Sequence, residues 1–579
     1  MTRKLSVKAK IGCLMVISTA CTTQSLAAPP NAGNLLDTVK PLPVMPEKPG
    51  PLVTAPEESR PAMRHAEGLL FVLKEVRISG NRAFSEKELL PLYASQLGKQ
   101  TGFSDLERMT GLITKYYRDH GYMVARAYVP EQQIKDGSVE IAVLEGRLGE
   151  VKVNYHSPGP KIPDTLLKGM ITGAVAQGDA INVNKLERGM LLENELPNMK
   201  ASSVLVPGAS VGTSDLVLEA NQQGWFHNDT LELDNAGSRY SGTTRYGGSA
   251  NLASPFGLGD QMSGRILTSL DGFDYGRLSW SAPVGMHGLK AGLAETYTDY
   301  SLNGPYSPLG LRGFASISSA FLVYPYLRSR FLNLYQTASI EHKNLVSNAN
   351  AGVISHNTIN DIQIGFNGDE TDTWLGGGLS SVSATYTYGR LDLSADPVNQ
   401  ANDAATAKAQ GNYSKFQLQA MRQQQLSTNW VLYGSLTGQL SNKNLDSSES
   451  ISFGGPSAVR AYPVGEAAAD EGLLATLELR YNMLAPLDLG SLQMVLFYDH
   501  GNVQLHHSTW ASFDQSKVAN TYTLQAAGIG ANLYKENNYL ISVTGAWKIG
   551  SNPNPGTNGS DADGRNEHFR FWVQLIKYL

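Results

Sequence analysis

From Trp225 to Leu579 apolar residues recur at every second position, segment after segment. Met262, Gly264, Ile266, Thr268 and Leu270 are opposed by Gln261, Ser263, Arg265 and Ser269. Leu473, Ala475, Leu477, Leu479 and Tyr481 alternate with Leu474, Thr476, Glu478, Arg480 and Asn482. Phe569, Phe571, Val573 and Leu575 alternate with Arg570, Trp572, Gln574 and Ile576. This period builds strands with one apolar and one polar face. A soluble barrel or sandwich would have to enclose all the apolar faces in a core. An apolar outside around a polar, water-filled inside is the simpler solution, and that is a transmembrane antiparallel β-barrel. A crossing strand needs ~9–11 residues, and at roughly 22 residues per strand plus connection the stretch holds about 16 strands. All seven Trp and 20 of the 26 Tyr fall in it, as aromatic girdles require.

The chain of 579 residues begins differently. Arg3, Lys4, Lys8 and Lys10 precede the short apolar run Ile11–Ala20, and Ser25-Leu26-Ala27 offers a small-residue cleavage site. Residues 1–28 therefore read as a secretory signal peptide. A lipobox-like Ser18-Thr19-Ala20-Cys21 is the weaker alternative. Both cysteines, Cys13 and Cys21, lie in this leader, so the exported chain carries no thiol for a disulfide, a nucleophile or a Cys-bound metal. Residues 29–68 follow, and nine of the 27 prolines fall in Pro29–Pro61, an extended linker with room for one short helix at 32–40. A net charge of −5 argues against a nucleic-acid partner. No stretch beyond the N-terminus approaches the ~18 apolar residues of a spanning helix.

Between linker and barrel the pattern predicts two α+β units, 69–147 and 148–223. The first reads strand, helix, helix, strand, strand. Val76 and Ile78 end a strand at Gly80-Asn81, and Ser85 with Glu88 forms a capping box ahead of a helix that Pro91 should shorten. Ser104 and Glu107 suggest a second capping box, before the stripe Leu106, Met109, Ile113 and Tyr117. Asp136-Gly137 is a turn between the last two strands. The second unit looks like a weaker copy: a strand at Val151–Val153, helices near 164–171 and 181–196, and a hairpin over 201–218.

On a barrel strand the polar face is the lumen. Leu492, Met494, Leu496 and Tyr498 then face lipid, whereas Gln493, Val495, Phe497 and Asp499 point inward. Glu478 and Arg480 fall on the lumen face of their own strand, either as plain pore-lining polarity or as partners of another charge. The long irregular connection 453–471 contains Phe453-Gly454-Gly455-Pro456-Ser457-Ala458-Val459-Arg460-Ala461-Tyr462-Pro463. Val459-Arg460-Ala461-Tyr462 resembles the V-R-G-[FY] loop motif, and Phe497-Tyr498-Asp499 the F-x-D strand motif, of two-partner secretion transporters. These are the TpsB family of haemolysin-activation and filamentous-haemagglutinin exporters (ShlB/FhaC/HecB-like). The run Gly121-Tyr122, Val129-Pro130-Glu131-Gln132, Gly137 and Val143-Leu144-Glu145-Gly146 resembles the first periplasmic POTRA domain of those proteins.

The resemblance implies two POTRA domains (69–147 and 148–223) before an outer-membrane barrel (224–579) whose inner loop lies near 453–471. It implies that Arg460 of the loop pairs with Asp499 on the wall. In a partly wet lumen such a pair is expected to set loop position more than global stability, since exposed ion pairs contribute only ~0–1 kcal/mol. Ala461 replaces the motif glycine, which would strain a backbone needing φ > 0. The implied partners are a secreted TpsA-type exoprotein with an N-terminal secretion domain, of β-helical adhesin or haemolysin type, outer-membrane lipid and lipopolysaccharide, and the barrel-assembly machinery that inserts the barrel. No cofactor is implied. A barrel-assembly insertase and a passive porin are the alternatives.

Other motifs fail on context. Gly208-Ala209-Ser210-Val211-Gly212 matches G-x-S-x-G but joins two strands, where a hydrolase elbow needs a helix after it. Gly528-Ile529-Gly530 lacks the rest of a dinucleotide fingerprint. His506-His507 and Asp561/Asp563/Gly564 have cation-ligand types, but Asn552–Asn566 reads as a surface loop. No constellation for catalysis is present, so an enzyme is not expected.

Overall fold

The computed structural model describes residues 52–54, 70–483, 489–556 and 559–579. The leader at 1–28 and the helix expected at 32–40 lie outside the described residues. The Pro-rich segment contributes one short strand, β1 (Val53–Thr54).

The first α+β unit contains β2 (Glu75–Ser79), α1 (Phe103–Asp119), β3 (Arg126–Tyr128) and β4 (Ser138–Leu144), in a sheet ordered β2-β4-β3. β2 runs parallel to β4, and β3 antiparallel to it. The helix Glu86–Leu89 starts at the Ser85/Glu88 capping box and passes into a 3₁₀ turn carrying Pro91, as its missing N–H demands. The second capping expectation is corrected. α1 begins at Gly102, whose amide donates to the Asp105 carboxylate (2.9 Å), so Ser104 already lies inside the helix. The carboxylate in the first turn satisfies an amide with no helical partner and complements the helix dipole. Leu106, Met109, Ile113 and Tyr117 are buried as the stripe requires, each contributing about 1.5–3 kcal/mol of transfer energy. Tyr117 donates to Glu145 (3.0 Å), which also accepts from the Ala83 amide (2.6 Å). Asp136 and Gly137 both have positive φ, the geometry that Asp-Gly supplies cheaply in a tight turn.

The second unit contains β5 (Arg147–His156), α2 (Asp164–Ala174), α3 (Val183–Asn194), β6 (Met199–Pro207) and β7 (Thr213–Gln222). Its sheet is ordered β1-β6-β7-β5, with β5 parallel to β7 and β6 antiparallel to it. The helices cover one face through Leu167, Met170, Ile171, Leu186, Met190 and Leu191. β1 pairs in parallel with the edge of β6, and the Ser203 amide donates to the Leu52 carbonyl (2.9 Å). Residues 208–212 are the hairpin turn between β6 and β7, so Ser210 is not a nucleophile on an elbow.

Sixteen antiparallel strands, from Thr230–Asp234 to Phe569–Tyr578, close into a barrel when the last pairs with the first. The alternation is borne out. Ile266, Leu278, Leu293, Ile340, Leu477 and Leu496 project outward, while Leu267, Lys343, Glu478, Phe497 and Asp499 are buried inside. Such a band would be an aggregation liability in water and is the ordinary surface of a barrel in lipid. No described helix is long and apolar enough to cross a membrane. The second unit meets one rim of the barrel, where Glu195 accepts from Arg328 (2.5 Å) and Tyr335 (2.7 Å).

Candidate functional site: the inner loop

The strand Trp430–Ser441 ends at the rim away from the α+β units, and the chain returns only at Glu471–Asn482. The intervening residues fold into the lumen instead of over the rim. Apolar contact explains part of this: Phe453, Val459, Ala461 and Tyr462 are fully buried against Leu474, Val495, Phe497, Val503 and Leu524 of the wall. Wall glycines make the room. A Cβ on Gly472 would come within 2.5 Å of the Phe453 ring, and one on Gly501 within 2.9 Å of the same ring and 3.0 Å of Val459.

The charged contacts fix where the loop tip sits. Arg460 donates from Nε to Asp499 Oδ2 (2.9 Å) and from Nη2 to Oδ1 (2.7 Å), a bidentate fork. Its backbone amide donates to the same carboxylate (3.1 Å), and Thr476 adds a hydroxyl (3.0 Å). The remaining nitrogen, Nη1, donates to Glu478 (2.8 Å), whose other oxygen accepts from Arg480 (2.8 Å). The guanidinium also lies 3.4 Å from the Phe497 ring centroid, a cation–π contact out of water. Arg480 stacks similarly over Tyr433, at 4.1 Å. The lumen charges Glu478 and Arg480 are thus part of one network with Arg460 and Asp499. Val459, Arg460, Ala461, Tyr462, Phe497, Asp499, Glu478 and Arg480 all come together there.

Three expectations change. The central pair is not a wet one: Asp499 is fully buried and the Arg460 side chain only 11% exposed. Removing one member of a buried pair strands the other charge, at a cost of about 3–5 kcal/mol, well above the value for exposed pairs. Ala461 does not take a left-handed backbone, so no strain arises from the missing glycine. The loop around Asp561 is exposed in part, but its two carboxylates are not solvated. Asp561 and Asp563 are buried and paired, with Lys548 and Arg570 (2.8 Å) and with Arg570 (2.9 Å) respectively. His507 bonds to Glu471 (2.6 Å) and His506 packs on Trp510. Among the described residues no cluster of His, Cys, Asp and Glu could hold a metal ion.

Two contributors were not read from the sequence. Trp572 donates Nε1 to the Arg460 carbonyl (2.7 Å), and its place on the polar face between Arg570 and Gln574 was the available signal. A Cβ on Gly528 would come within 2.3 Å of the Phe497 ring, so this glycine seats the aromatic that carries Arg460. No periodic signal announces that role.

A closed outer-membrane barrel holding an inward loop, preceded by two α+β units, is the architecture of a protein transporter. The family of haemolysin secretion/activation proteins ShlB/FhaC/HecB matches residues 212–532, and a ShlB-type POTRA domain matches residues 71–146. The heme/hemopexin transporter protein HuxB of Haemophilus influenzae is 26% identical over 89% of this chain and 88% of its own length. The outer membrane transporter CdiB of Dickeya dadantii is 23% identical, covering 83% of this chain and 85% of its own. Among solved structures, CdiB from Escherichia coli superposes with a TM-score of 0.70 over 91% of this chain and 93% of that one, at 20% identity. The chain belongs to the ShlB/FhaC/HecB family. It is a two-partner secretion transporter of the outer membrane with POTRA domains in the periplasm, and not an enzyme.

Proposed function

We propose that the two periplasmic units capture an unfolded TpsA-type exoprotein, of β-helical adhesin or haemolysin type, through its N-terminal secretion domain and pass it into the barrel. Capture by adding an extended segment to a sheet edge makes main-chain hydrogen bonds and demands little of the sequence captured. The inner loop, held by Arg460 on Asp499 and Glu478, occupies the route and has to move for the polypeptide to pass. Outer-membrane lipid and lipopolysaccharide surround the apolar band, and barrel-assembly machinery inserts it. The observation that carries this reading is the buried bidentate pair between a loop residue and a wall residue in the lumen.

The Arg460→Ala variant is expected to insert normally yet lose nearly all export, measured as exoprotein in the medium against heat-modifiable barrel in the membrane. Full export by an inserted variant would refute the role of Arg460. The intact transporter in nanodiscs should also bind the N-terminal region of its exoprotein in preference to an unfolded barrel precursor. The opposite preference would point to an insertase, and binding of neither to a porin.

A further inference from the structure

Arg460 is not the only charged side chain that ties the inner loop to the wall. At the loop's entry, after the cap Asp446, Glu449 ends a single 3₁₀ turn and is 1% exposed. Its Oε1 accepts from Lys343 Nζ (2.6 Å), and its Oε2 lies 2.9 Å from Lys415 Nζ. Its backbone carbonyl accepts from the same Lys415 (3.0 Å) and from Gln439 Nε2 (2.9 Å). Lys343, Lys415 and Gln439 stand on the strands Leu332–Ala349, Gly411–Gln425 and Trp430–Ser441. Arg460 and its carbonyl instead reach Glu471–Asn482, Ser491–Gln504 and Phe569–Tyr578. The two contacts thus fasten one loop to two different sectors of the barrel, with opposite charge sense: cation on the loop at one, anion on the loop at the other.

We propose that Glu449 on Lys343 and Lys415 is a second fastening of the inner loop, and that the lumen opens to polypeptide only when this contact is released as well as that of Arg460. The proposal rests on the reading of the loop as the moving part. The chemistry of the pocket favours a fastening over plain lumen polarity. Lys343 has wall partners of its own in Asp361 (3.0 Å) and Glu341 (3.2 Å). For Lys415, Glu449 is the one carboxylate within 4 Å among the described residues. When the loop leaves, Lys415 loses its counter-charge and must be rehydrated, which holds the closed arrangement until water or an incoming chain replaces the carboxylate. Two such contacts on separate sectors also resist rotation of the loop about either one.

The test uses the full chain in planar bilayers. Glu449→Gln and Lys415→Gln, each shown to be a folded barrel by heat modifiability, are expected to spend at least about tenfold more time in large-conductance states than the parent. Glu449→Gln with Arg460→Ala should exceed either single variant. Unchanged conductance in folded single variants overturns the proposal, as does a double variant no leakier than Arg460→Ala alone. Should Glu449→Gln fail to fold, the wall variant Lys415→Gln decides the matter, because it leaves the loop sequence intact. In the inserted transporter, a cysteine pair at 415 and 449 joined by a bifunctional thiol reagent should halt export, and export at the parent rate would also overturn it. Conductance is read without any exoprotein. Raised conductance with no exoprotein exported by the parent chain would therefore defeat the transport reading and leave the fastening standing.

Discussion

Glu193 illustrates how much one side chain can tell against its surroundings. It lies in the core of the second α+β unit on α3, fully buried, with neither carboxylate oxygen hydrogen-bonded. Burial alone pushes its pKa well above the ordinary 4.5, so the folded domain holds it protonated at pH values where the unfolded chain has released the proton. The folded state then binds more protons, and stability falls as pH rises above about 4.5, by at most ~1.4 kcal/mol per pH unit. Glu193→Met, close in volume and free of polar atoms, is expected to stabilise the domain by about 1–3 kcal/mol at neutral pH and to flatten that dependence. Hydrogen exchange of α3 and β6 in the intact protein between pH 5 and 8 would show it; equal slopes for parent and variant would speak against it. Arg460 is the contrary case. Its Nε, Nη1 and Nη2 each donate to a carboxylate that the wall already positions, which lysine, as a point charge, would not reproduce.

Strands decide where the membrane can lie and where a partner can attach. The first barrel strand has 5 residues and the longest, Gly352–Asp372, has 21. The long strands exceed the ~9–11 residues of a crossing and carry the wall beyond the bilayer. In the second α+β unit the β6 edge is covered in part by β1 from the chain's own Pro-rich segment. Only two residue pairs are made, so the cover is weak. Deleting Leu52–Thr54 should speed exchange of the Ser203 amide by up to about tenfold, the value of one hydrogen bond of ~0.5–1.5 kcal/mol. Unchanged protection at Ser203 would mean that β1 does not hold this edge in solution.

The molecule as a whole is joined by an acidic helix end meeting a basic rim. Glu195, just past α3, contacts Arg328, Tyr335 and Lys290 (3.5 Å), Glu187 pairs with Arg330, and Arg188 donates to the Pro325 carbonyl (2.8 Å). These groups are partly exposed, which suits a joint able to open: each charged contact is worth about 1–3 kcal/mol and is weakened by salt. Glu195→Lys, which sets like charges against Arg328 and Lys290, should broaden the distance between spin labels on α2 and on the barrel rim. A distribution as narrow as the parent's would show that the apolar contacts around Met286 suffice to dock the domain.

Alternation along the chain was enough to define the barrel and which side chains enter the lumen, because a strand's two faces are set by a local period of two; the strand number followed from the length of the stretch. The capping box at Ser85 and the Asp-Gly turn were legible for the same reason: their chemistry is complete within a few residues. Arg460 and Asp499 could be paired in advance because both stand in recognisable motifs on a loop and a strand. Misreadings arose where the partner stands on another element. Asp561 and Asp563 have loop-like neighbours, and Lys548 and Arg570 reach them from the two paired strands that flank the loop. Glu449 sits in an unpatterned Ser-rich stretch, 106 residues from Lys343, and no period or motif links the two. Closing sixteen strands into a ring is what gives a buried charge its counter-charge, and that geometry has no signature in the order of residues.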